Sequence, residues 1–303
     1  MGFDAAVIGN AGIDTNVYLY GNEIDFSVEA NFSRNIDYIG QAGGYSARGF
    51  ASLGLRTAFI GALGKDWQGK WIRETFEKEG IDLSAVFSDP AGTARSINFM
   101  YPDGRRKNFY DGKSHMEIHP DLSASKHVLN SAQLAVFHIP NWARELLPYA
   151  KEHCSIVAVD LQDIVSVDDE YRRDFIDSAD ILFFSAANHN SPEPIIRKVW
   201  EKAPEKLLVA GMGSRGVCLG VSGEITYFPA VESDFPIIDT NGAGDSLAAG
   251  FLYGFVFGGY SQRESILLGQ IAARHACTLQ ADTENLISQE ELISRFHVLN
   301  QRV

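Results

Sequence analysis

The sequence predicts an α/β fold with a mostly parallel central sheet, helices on both faces and a small β-sheet lid. From residue 134 to residue 221, short apolar strands alternate with helical segments, which is the order of repeated βαβ units. Two half-polar segments, at about 15–40 and 96–110, interrupt this order and alternate apolar with polar residues, as exposed strands do. Because no Pro- or Ser-rich linker occurs, residues 1–303 are expected to form a single domain.

The composition is that of an ordinary globular protein, with 45% hydrophobic and 21% charged residues. A net charge of −13 argues against a general nucleic-acid or anionic-membrane surface. The three widely spaced cysteines lie in apolar segments, so we expect small core residues in a reducing compartment, without disulfides. Acidic Asp4 and no basic region precede the first apolar run, so we expect no signal peptide and a cytoplasmic location.

The first element is a short buried strand from Ala5 to Gly9, and the turn after it presents Asp14 and Asn16. This turn lies at the carboxyl end of a strand, where open α/β sheets bind their ligands. The chain then runs through Gly43 and Gly44 into a predicted helix at 49–53. A strand at 57–61 and a helix at 70–79 complete this part.

The remaining elements alternate regularly. Strands are predicted at 134–138, 155–160, 180–184, 206–210 and 217–221. Helices are predicted between them and at the end of the chain, at 142–152, 169–177, 192–202, 246–257, 263–279 and 288–296.

The two half-polar segments have the alternation of exposed antiparallel strands, at Tyr18, Tyr20 and Ile97 among others. Such a small sheet is compatible with a lid over a site. It is equally compatible with a dimer interface, since its edge strands need covering.

The stretch 239–245 is the strongest candidate site. Gly242, Ala243 and Gly244 let the backbone approach a ligand, and a helix beginning near Ser246 adds its positive end, so the turn suits an anion. Asp245 at its mouth is suited to accept a proton from a hydroxyl that attacks a bound phosphate. The simpler alternative is a glycine-rich turn with Asp as a helix-start residue.

Two other patterns resemble nucleotide motifs. Residues 211–216 spell GxGxxG, but residues 217–221 are strand-like where the dinucleotide motif requires a helix, so we interpret the segment as strand–turn–strand. Residues 112–114 resemble the end of a P-loop whose first glycine is absent. The histidines, His138 among them, lack metal-ligand spacing and are expected to be surface or satisfied buried residues.

Two signatures, in the right order, resemble those of the ribokinase-like (PfkB) family of sugar and nucleoside kinases. The C-terminal one is residues 239–251, and the N-terminal one comprises Gly43-Gly44, residues 51–54 and residues 61–69. The resemblance extends from about Ala5 beyond Ala276. It implies a ribokinase-like three-layer fold with a lid, and ATP- and Mg²⁺-dependent transfer of a phosphoryl group.

The resemblance also implies roles for individual positions. Asp245 would be the catalytic base and 242–244 the anion hole. Asp14, Gly43 and Gly44 would bind the acceptor, and Asn190 and Glu193 match an NxxE pattern whose Glu would organise Mg²⁺ through water. On the nucleotide side Gly213, Ser214 and Gly216 would bind ATP, and Asp239 with Thr240 would form the monovalent-cation (K⁺) site that some members possess.

An alternative for Glu193 is structural, because Ser191, Pro192 and Glu193 also suit the start of a helix. Arg48 stands where the family usually has Asn. If its guanidinium faces the pocket, it predicts an acidic acceptor, and otherwise Arg48 is turned outward or paired with a local acid.

The sequence therefore predicts an ATP-dependent kinase of a small sugar or sugar-like acceptor. One alternative is a nucleoside kinase of the adenosine type, with a base held by Phe26, Phe99, Tyr18 or Tyr101. A second alternative, from another class, is a non-catalytic ligand-binding relative. Partners other than the substrate are not expected, apart from a homodimer through the lid.

Overall fold

The structure is a computed structural model that describes residues 2–103, 105–164, 166–280 and 285–300. The strands are β1 (Phe3–Ile8), β2 (Gly12–Leu19), β3 (Ser33–Gly40), β4 (Thr57–Ile60), β5 (Ala62–Leu63), β6 (Phe87–Ser88), β7 (Ala94–Met100), β8 (Arg106–Asp111), β9 (Ala132–Phe137), β10 (Ile156–Asp163), β11 (Ile181–Ser185), β12 (Leu207–Gly211), β13 (Val217–Val221) and β14 (Glu224–Phe228). The helices are α1 (Ala42–Ser52), α2 (Trp67–Lys78), α3 (Leu122–Leu129), α4 (Leu147–His153), α5 (Arg173–Ser178), α6 (Glu193–Trp200), α7 (Ala243–Leu252), α8 (Gln262–Ala276) and α9 (Gln289–Asn300).

The central sheet has eight strands in the order β14-β13-β12-β11-β10-β9-β1-β4. Six of them, from β4 across to β12, are parallel, and β13 and β14 add an antiparallel edge. Crossover helices bury parallel strands on both faces, which explains why the sequences of these strands are continuous apolar runs. The predicted mostly parallel sheet is confirmed.

The two faces of this sheet carry two separate hydrophobic cores. In β1, Ala5 and Val7 face the core shared with α1, α2, α7, α8 and α9, whereas Ala6 and Ile8 face the core shared with α3 to α6. This alternation is the two-residue period of a strand, here apolar on both sides. The result is the predicted three-layer arrangement of helices, sheet and helices.

The lid is a four-stranded sheet in the order β3-β2-β7-β8. Contrary to the antiparallel expectation, β2 and β7 run parallel, and the other two pairs are antiparallel. Residues 20–32 form no strand, so the alternation seen there was misleading. The parallel pair follows from connectivity, because the long stretch between the two strands is taken up by core elements and β7 re-enters in the direction of β2.

Several helix boundaries differ from the expectation. Helix α1 begins at Ala42, so Gly43 and Gly44 lie in its first turn, and α7 begins at Ala243 and continues as a π-helical segment, Tyr253–Phe257. Helix α3 was not predicted. The sequence signal for the start of this helix was Asp121, whose side chain accepts hydrogen bonds from the N–H groups of Ser123 and Ala124 and caps the helix.

All three cysteines are free; Cys218 is buried, as expected of a core residue, whereas Cys154 and Cys277 are only half-buried. Within the described ranges, the longest apolar helices fall short of what a membrane span requires.

Candidate active site

The glycine-rich turn lies at the N-terminus of α7. Gly242 has a φ of +73°, and a Cβ there would lie 2.9 Å from the ring of Tyr45, so both conformation and space require glycine. The N–H of Ser246 donates to the carbonyl of Gly242 as the first intrahelical bond, which leaves the N–H groups of Gly244 and Asp245 ahead of it. A Cβ at Gly244 would meet no atom within 4 Å, so this helix start is open to a ligand. These features are those of an anion site.

Asp245 lies in the first turn of α7. Its Oδ1 is sealed from solvent and has no hydrogen-bond partner among the described residues. Burial raises the pKa of this carboxyl well above its usual range, and the negative charge of Asp160 raises it further. A carboxylate with an unused, buried oxygen is suited to take a proton from a bound hydroxyl group.

Two side chains that the sequence did not place in the site surround Asp245. Ligand atoms of His138, Asp160 and Asp245 all lie within 4.8 Å of one another. Burial lowers the pKa of His138 to about 3, so the ring is neutral at physiological pH. Burial also raises the pKa of Asp160, whose Oδ1 accepts from the N–H of Gln162 at 2.8 Å. His138 directly follows β9, and Asp160 lies in the second half of β10, so both are toward the carboxyl ends of neighbouring parallel strands, and that position was the available signal.

Asp14 lies on β2 beside this cluster, and its pKa is raised by burial. Its Oδ2 accepts from the hydroxyl of Tyr45 at 3.0 Å and from the N–H of Gln41 at 3.4 Å. Its Oδ1 is buried without a partner among the described residues. The structure thus brings Asp14 and Asp245 to one cleft, each with an oxygen available to a ligand.

Gly43 and Gly44 shape the floor beside Asp14. A Cβ on Gly43 would lie 2.7 Å from the carbonyl oxygen of Asn10, and the N–H of Gly44 donates to that carbonyl at 3.2 Å. Helix α1 therefore packs directly on the turn after β1. This close approach of two backbones explains the glycine at position 43, whereas a Cβ at Gly44 would come no closer than 3.5 Å to any neighbour.

Asp239 links the glycine-rich turn before α7 to the lid through hydrogen bonds. Its Oδ2 accepts from the side chains of Asn16 (2.7 Å) and Tyr18 (3.2 Å), and its Oδ1 accepts from the N–H of Asn241 at 2.9 Å. Asn16 is in turn bonded through Asn98 to Asn108 across the lid strands β2, β7 and β8. Since these residues are mostly buried, the network ties the lid to the turn that precedes α7.

On the side where the sequence predicts nucleotide binding, Arg215 connects two loops. Its guanidinium donates to the carbonyls of Asn190 (2.8 Å), Ala186 (2.9 Å) and His189 (2.6 Å). Residues 213–215 form one 3₁₀ turn before β13, and β12 and β13 are antiparallel. The predicted strand–turn–strand is confirmed. Gly213 and Ser214 are exposed, while Gly216 has a φ of +95° and a backbone packed on Phe228.

Glu193 begins α6, and the structure shows its helix-start role. Its N–H donates to Ser191 Oγ at 3.2 Å, and its carboxylate pairs with Arg197 one turn later at 2.5 Å. The side chain is partly exposed and lies on the loop that Arg215 holds. This position is compatible with both roles that the sequence allowed.

Arg48 requires a correction. Its guanidinium is 3% exposed and makes a bidentate ion pair with Glu79 at the end of α2, with Nη2 to Oε1 at 2.5 Å and Nε to Oε2 at 2.8 Å. The local acid is therefore the partner, and the fork that would have bound an acidic acceptor is occupied by Glu79. The structure gives no support for Arg48 as an acceptor-binding residue.

Known proteins resemble the chain over nearly its whole length. The family described as pfkB family carbohydrate kinase matches residues 4–288. The chain is 29% identical to an acarbose 7(IV)-phosphotransferase of Actinoplanes sp., over 96% of this chain and 97% of that one. It is 28% identical to a 5-dehydro-2-deoxygluconokinase of Geobacillus thermodenitrificans, over 94% and 92% of the two chains.

Solved structures share the fold. A microbiome-derived acarbose kinase superposes with a TM-score of 0.89 at 24% identity, covering 98% of this chain and 100% of that one. The ribokinase of Arabidopsis thaliana, complexed with ribose and ATP, gives 0.82 at 20% identity, covering 98% and 99%. With the site geometry above, these matches show that the chain belongs to the pfkB family of carbohydrate kinases, which use ATP to phosphorylate sugars.

Proposed function

We propose that the chain moves the γ-phosphoryl group of ATP to a sugar hydroxyl with Asp245 as the catalytic base. The observation that carries this proposal is Asp245 Oδ1, which is buried, without a partner among the described residues, and next to the open start of α7. Phosphoryl transfer requires positioning and charge stabilisation more than covalent chemistry. A proton acceptor beside an anion site supplies both requirements at one place.

The N-terminus of α7 would hold the phosphoryl group as it moves. The helix dipole and the backbone N–H groups at Gly242, Ala243 and Gly244 would stabilise its negative charge. Asp14 would orient the acceptor through its unpartnered Oδ1, with Gly43 and Gly44 forming the floor. The neutral ring of His138 adds no charge to the cleft, and closure of the lid would exclude water.

ATP would bind along the loops that Arg215 joins, at Asn190, Gly213, Ser214 and Gly216. A divalent metal accompanies ATP in this family, and we propose Mg²⁺, organised from Glu193. Mg²⁺ keeps several waters, so a partly exposed carboxylate that acts through water suits it. A K⁺ ion near Asp239, a homodimer through the lid and a cytoplasmic location stay predictions.

A sugar is favoured over a nucleoside as the acceptor. Of the aromatic residues available for a base, Tyr18 is hydrogen-bonded to Asp239 and Phe99 packs edge-on against Phe109 at 5.7 Å. Phe26 is 90% exposed on the loop before β3. The two curated relatives described above are named for sugar-like acceptors as well.

The experiment measures ADP release with ATP and Mg²⁺ over a panel of ribose, acarbose, 5-dehydro-2-deoxygluconate and adenosine. Turnover with a carbohydrate and not with adenosine supports the proposal, and the reverse preference contradicts it. For the base, Asp245→Asn should lower kcat by about 10²-fold or more, the usual contribution of a positioned base. Asp177→Asn, an exposed carboxylate on α5, is the matched control and should keep wild-type turnover.

Acceptor and ATP binding to Asp245→Asn, measured by calorimetry, should be largely kept, because the change removes the charge and not the volume. Wild-type turnover in Asp245→Asn would show that another group accepts the proton.

A further inference from the structure

We propose that His138, Asp160 and Asp245 form a binding site for a transition-metal dication of the Zn²⁺ type, distinct from the site of the metal that accompanies ATP. The three residues come from β10, α7 and the end of β9, and their ligand atoms lie within 4.8 Å of one another. An ion there would take the oxygen of Asp245 that serves as base. The site would therefore inhibit the enzyme, a consequence that rests on the proposed function.

His138 provides the observation that points to a metal. The ring is 2% exposed, and its Nδ1 has no hydrogen-bond partner among the described residues. That atom faces Asp160 Oδ2 at 4.0 Å. The other nitrogen, Nε2, lies 2.9 Å from Ser46 Oγ, so a proton on Nε2 donated to Ser46 leaves the Nδ1 lone pair directed at the cluster. An imidazole oriented by a bond from its second nitrogen is the usual arrangement of a metal-bound histidine.

The two carboxylates would supply the oxygen ligands. Asp160 Oδ1 accepts from the N–H of Gln162, whose φ of +58° is unusual for a residue other than glycine, and Oδ2 is left toward His138. Asp245 offers its sealed Oδ1. Two neighbouring carboxylates repel each other, and within the described ranges no lysine or arginine forms an ion pair with either, the only nearby basic side chain being the neutral His138 ring, so a dication would relieve the repulsion.

The donor set selects the metal. One imidazole nitrogen and two carboxylate oxygens suit Zn²⁺ or Co²⁺, whereas Mg²⁺ prefers an octahedral shell of oxygens. With Zn–N and Zn–O bonds of about 2.0–2.1 Å, tetrahedral ligand atoms lie roughly 3.3–3.5 Å apart. Closing the cluster onto an ion therefore needs side-chain movements of about 1 Å. The fourth position would face the acceptor cleft.

The test is calorimetric titration of the full-length protein with ZnCl₂, without nucleotide or acceptor. We expect one tight site. Losing an outer-shell partner costs roughly 10–100-fold in metal affinity, so Ser46→Ala should weaken binding by that factor, and His138→Asn and Asp160→Asn, which remove ligands, by at least about 100-fold. The matched control is His119→Gln, an exposed histidine paired with Glu145 at 2.6 Å, which should bind zinc as the wild type does.

Thermal melts of each variant verify that it is folded, and Co²⁺ provides a second readout. Visible ligand-field bands should form with the wild type and disappear with His138→Asn, without the charge-transfer band that a cysteine ligand gives. Adding a sugar acceptor should lower the affinity for zinc, because the fourth position of the ion would face the acceptor cleft. Equal zinc affinity in the wild type, Ser46→Ala and Asp160→Asn would overturn the proposal. If zinc binds as expected while Asp245→Asn keeps full turnover, the metal site stands and the assignment of the base fails.

Discussion

The proposed catalytic side and the proposed nucleotide side of the site differ in how their polar groups are satisfied. On the catalytic side, Asp14, His138 and Asp245 each bury an atom that has no partner among the described residues. On the proposed nucleotide side, Arg215 is bonded to four carbonyls, and Glu193 is capped by Ser191 and paired with Arg197. Polar atoms on the first side are available to a ligand, whereas the named side chains on the second side are already bonded within the protein.

This difference assigns different tasks to the two sides. A buried polar atom without a partner costs stability, so it persists where a ligand makes the missing bond. A loop held by its own hydrogen bonds instead offers a preformed surface, which favours binding without reorganisation. Changes on the catalytic side should therefore act on turnover, and changes on the nucleotide side on the affinity for ATP.

After Asp245→Asn, Gly242→Ala should have the largest effect on the proposed catalytic side. Its Cβ would adopt a disfavoured φ and lie 2.9 Å from the Tyr45 ring, which displaces the anion turn. We expect kcat to fall by at least about tenfold, below the full loss of an oxyanion donor. Gly223→Ala is the control, with a φ of +83° but no atom within 4 Å of its Cβ, and it should keep wild-type kcat. Equal kcat values for the two variants would show that the turn tolerates displacement.

Arg215→Ala should act on the nucleotide side. Removing the guanidinium releases the carbonyls of residues 186, 189 and 190, and hydrogen bonds to a charged group contribute about 1.5–3 kcal/mol. We expect the KM for ATP to rise by about tenfold while kcat with saturating ATP changes little. Arg173→Ala, an exposed arginine on α5, serves as the control. A fall in kcat without a change in KM would contradict the division of tasks.

Arg48→Asn should change stability and leave the acceptor preference as it is. The substitution leaves Glu79 without its bidentate partner, and because Glu79 is partly exposed we expect a loss of about 2–4 kcal/mol, somewhat less than for a fully buried pair. Denaturant unfolding measures the loss, and the acceptor panel measures preference. A shift in preference toward neutral sugars would show that Arg48 contributes to acceptor binding after all.

Asp160→Asn should have the smallest effect, on the pH profile. As the proposed base, Asp245 would act only when ionised, so kcat/KM should fall as the pH drops through its raised pKa. Removing the negative charge of Asp160 lowers that pKa, so the acidic limb should move to lower pH. The asparagine Oδ1 still accepts from Gln162, which limits structural change. An acidic limb that stays in place would show that Asp160 does not influence Asp245.

The fold and the catalytic turn could be predicted because their signals are local. Apolar runs of strand length mark the parallel sheet, and Gly242 to Asp245 are adjacent in sequence. His138, Asp160 and Ser46 could not be found in this way, since three separate elements bring them together. Arg48 shows the same limit. Its partner Glu79 lies 31 residues away, so no local pattern indicated which way the guanidinium points.

The lid is also built from distant parts of the chain, and this affects how the protein reaches its active form. Strand β2 pairs with β7 from Gly12 opposite Ala94 to Tyr18 opposite Met100, about 80 residues apart along the chain. Closing such a loop has an entropic cost before any contact compensates, so non-local pairings form slowly. The pairing of β1 with β9 in the central sheet joins residues that are even farther apart, but those strands bury apolar side chains on both faces, whereas β8 is exposed along its whole length. After dilution from denaturant, the central sheet should therefore assemble first and the lid last. Kinase activity should then return later than the burial of Trp142 in the hydrophobic core.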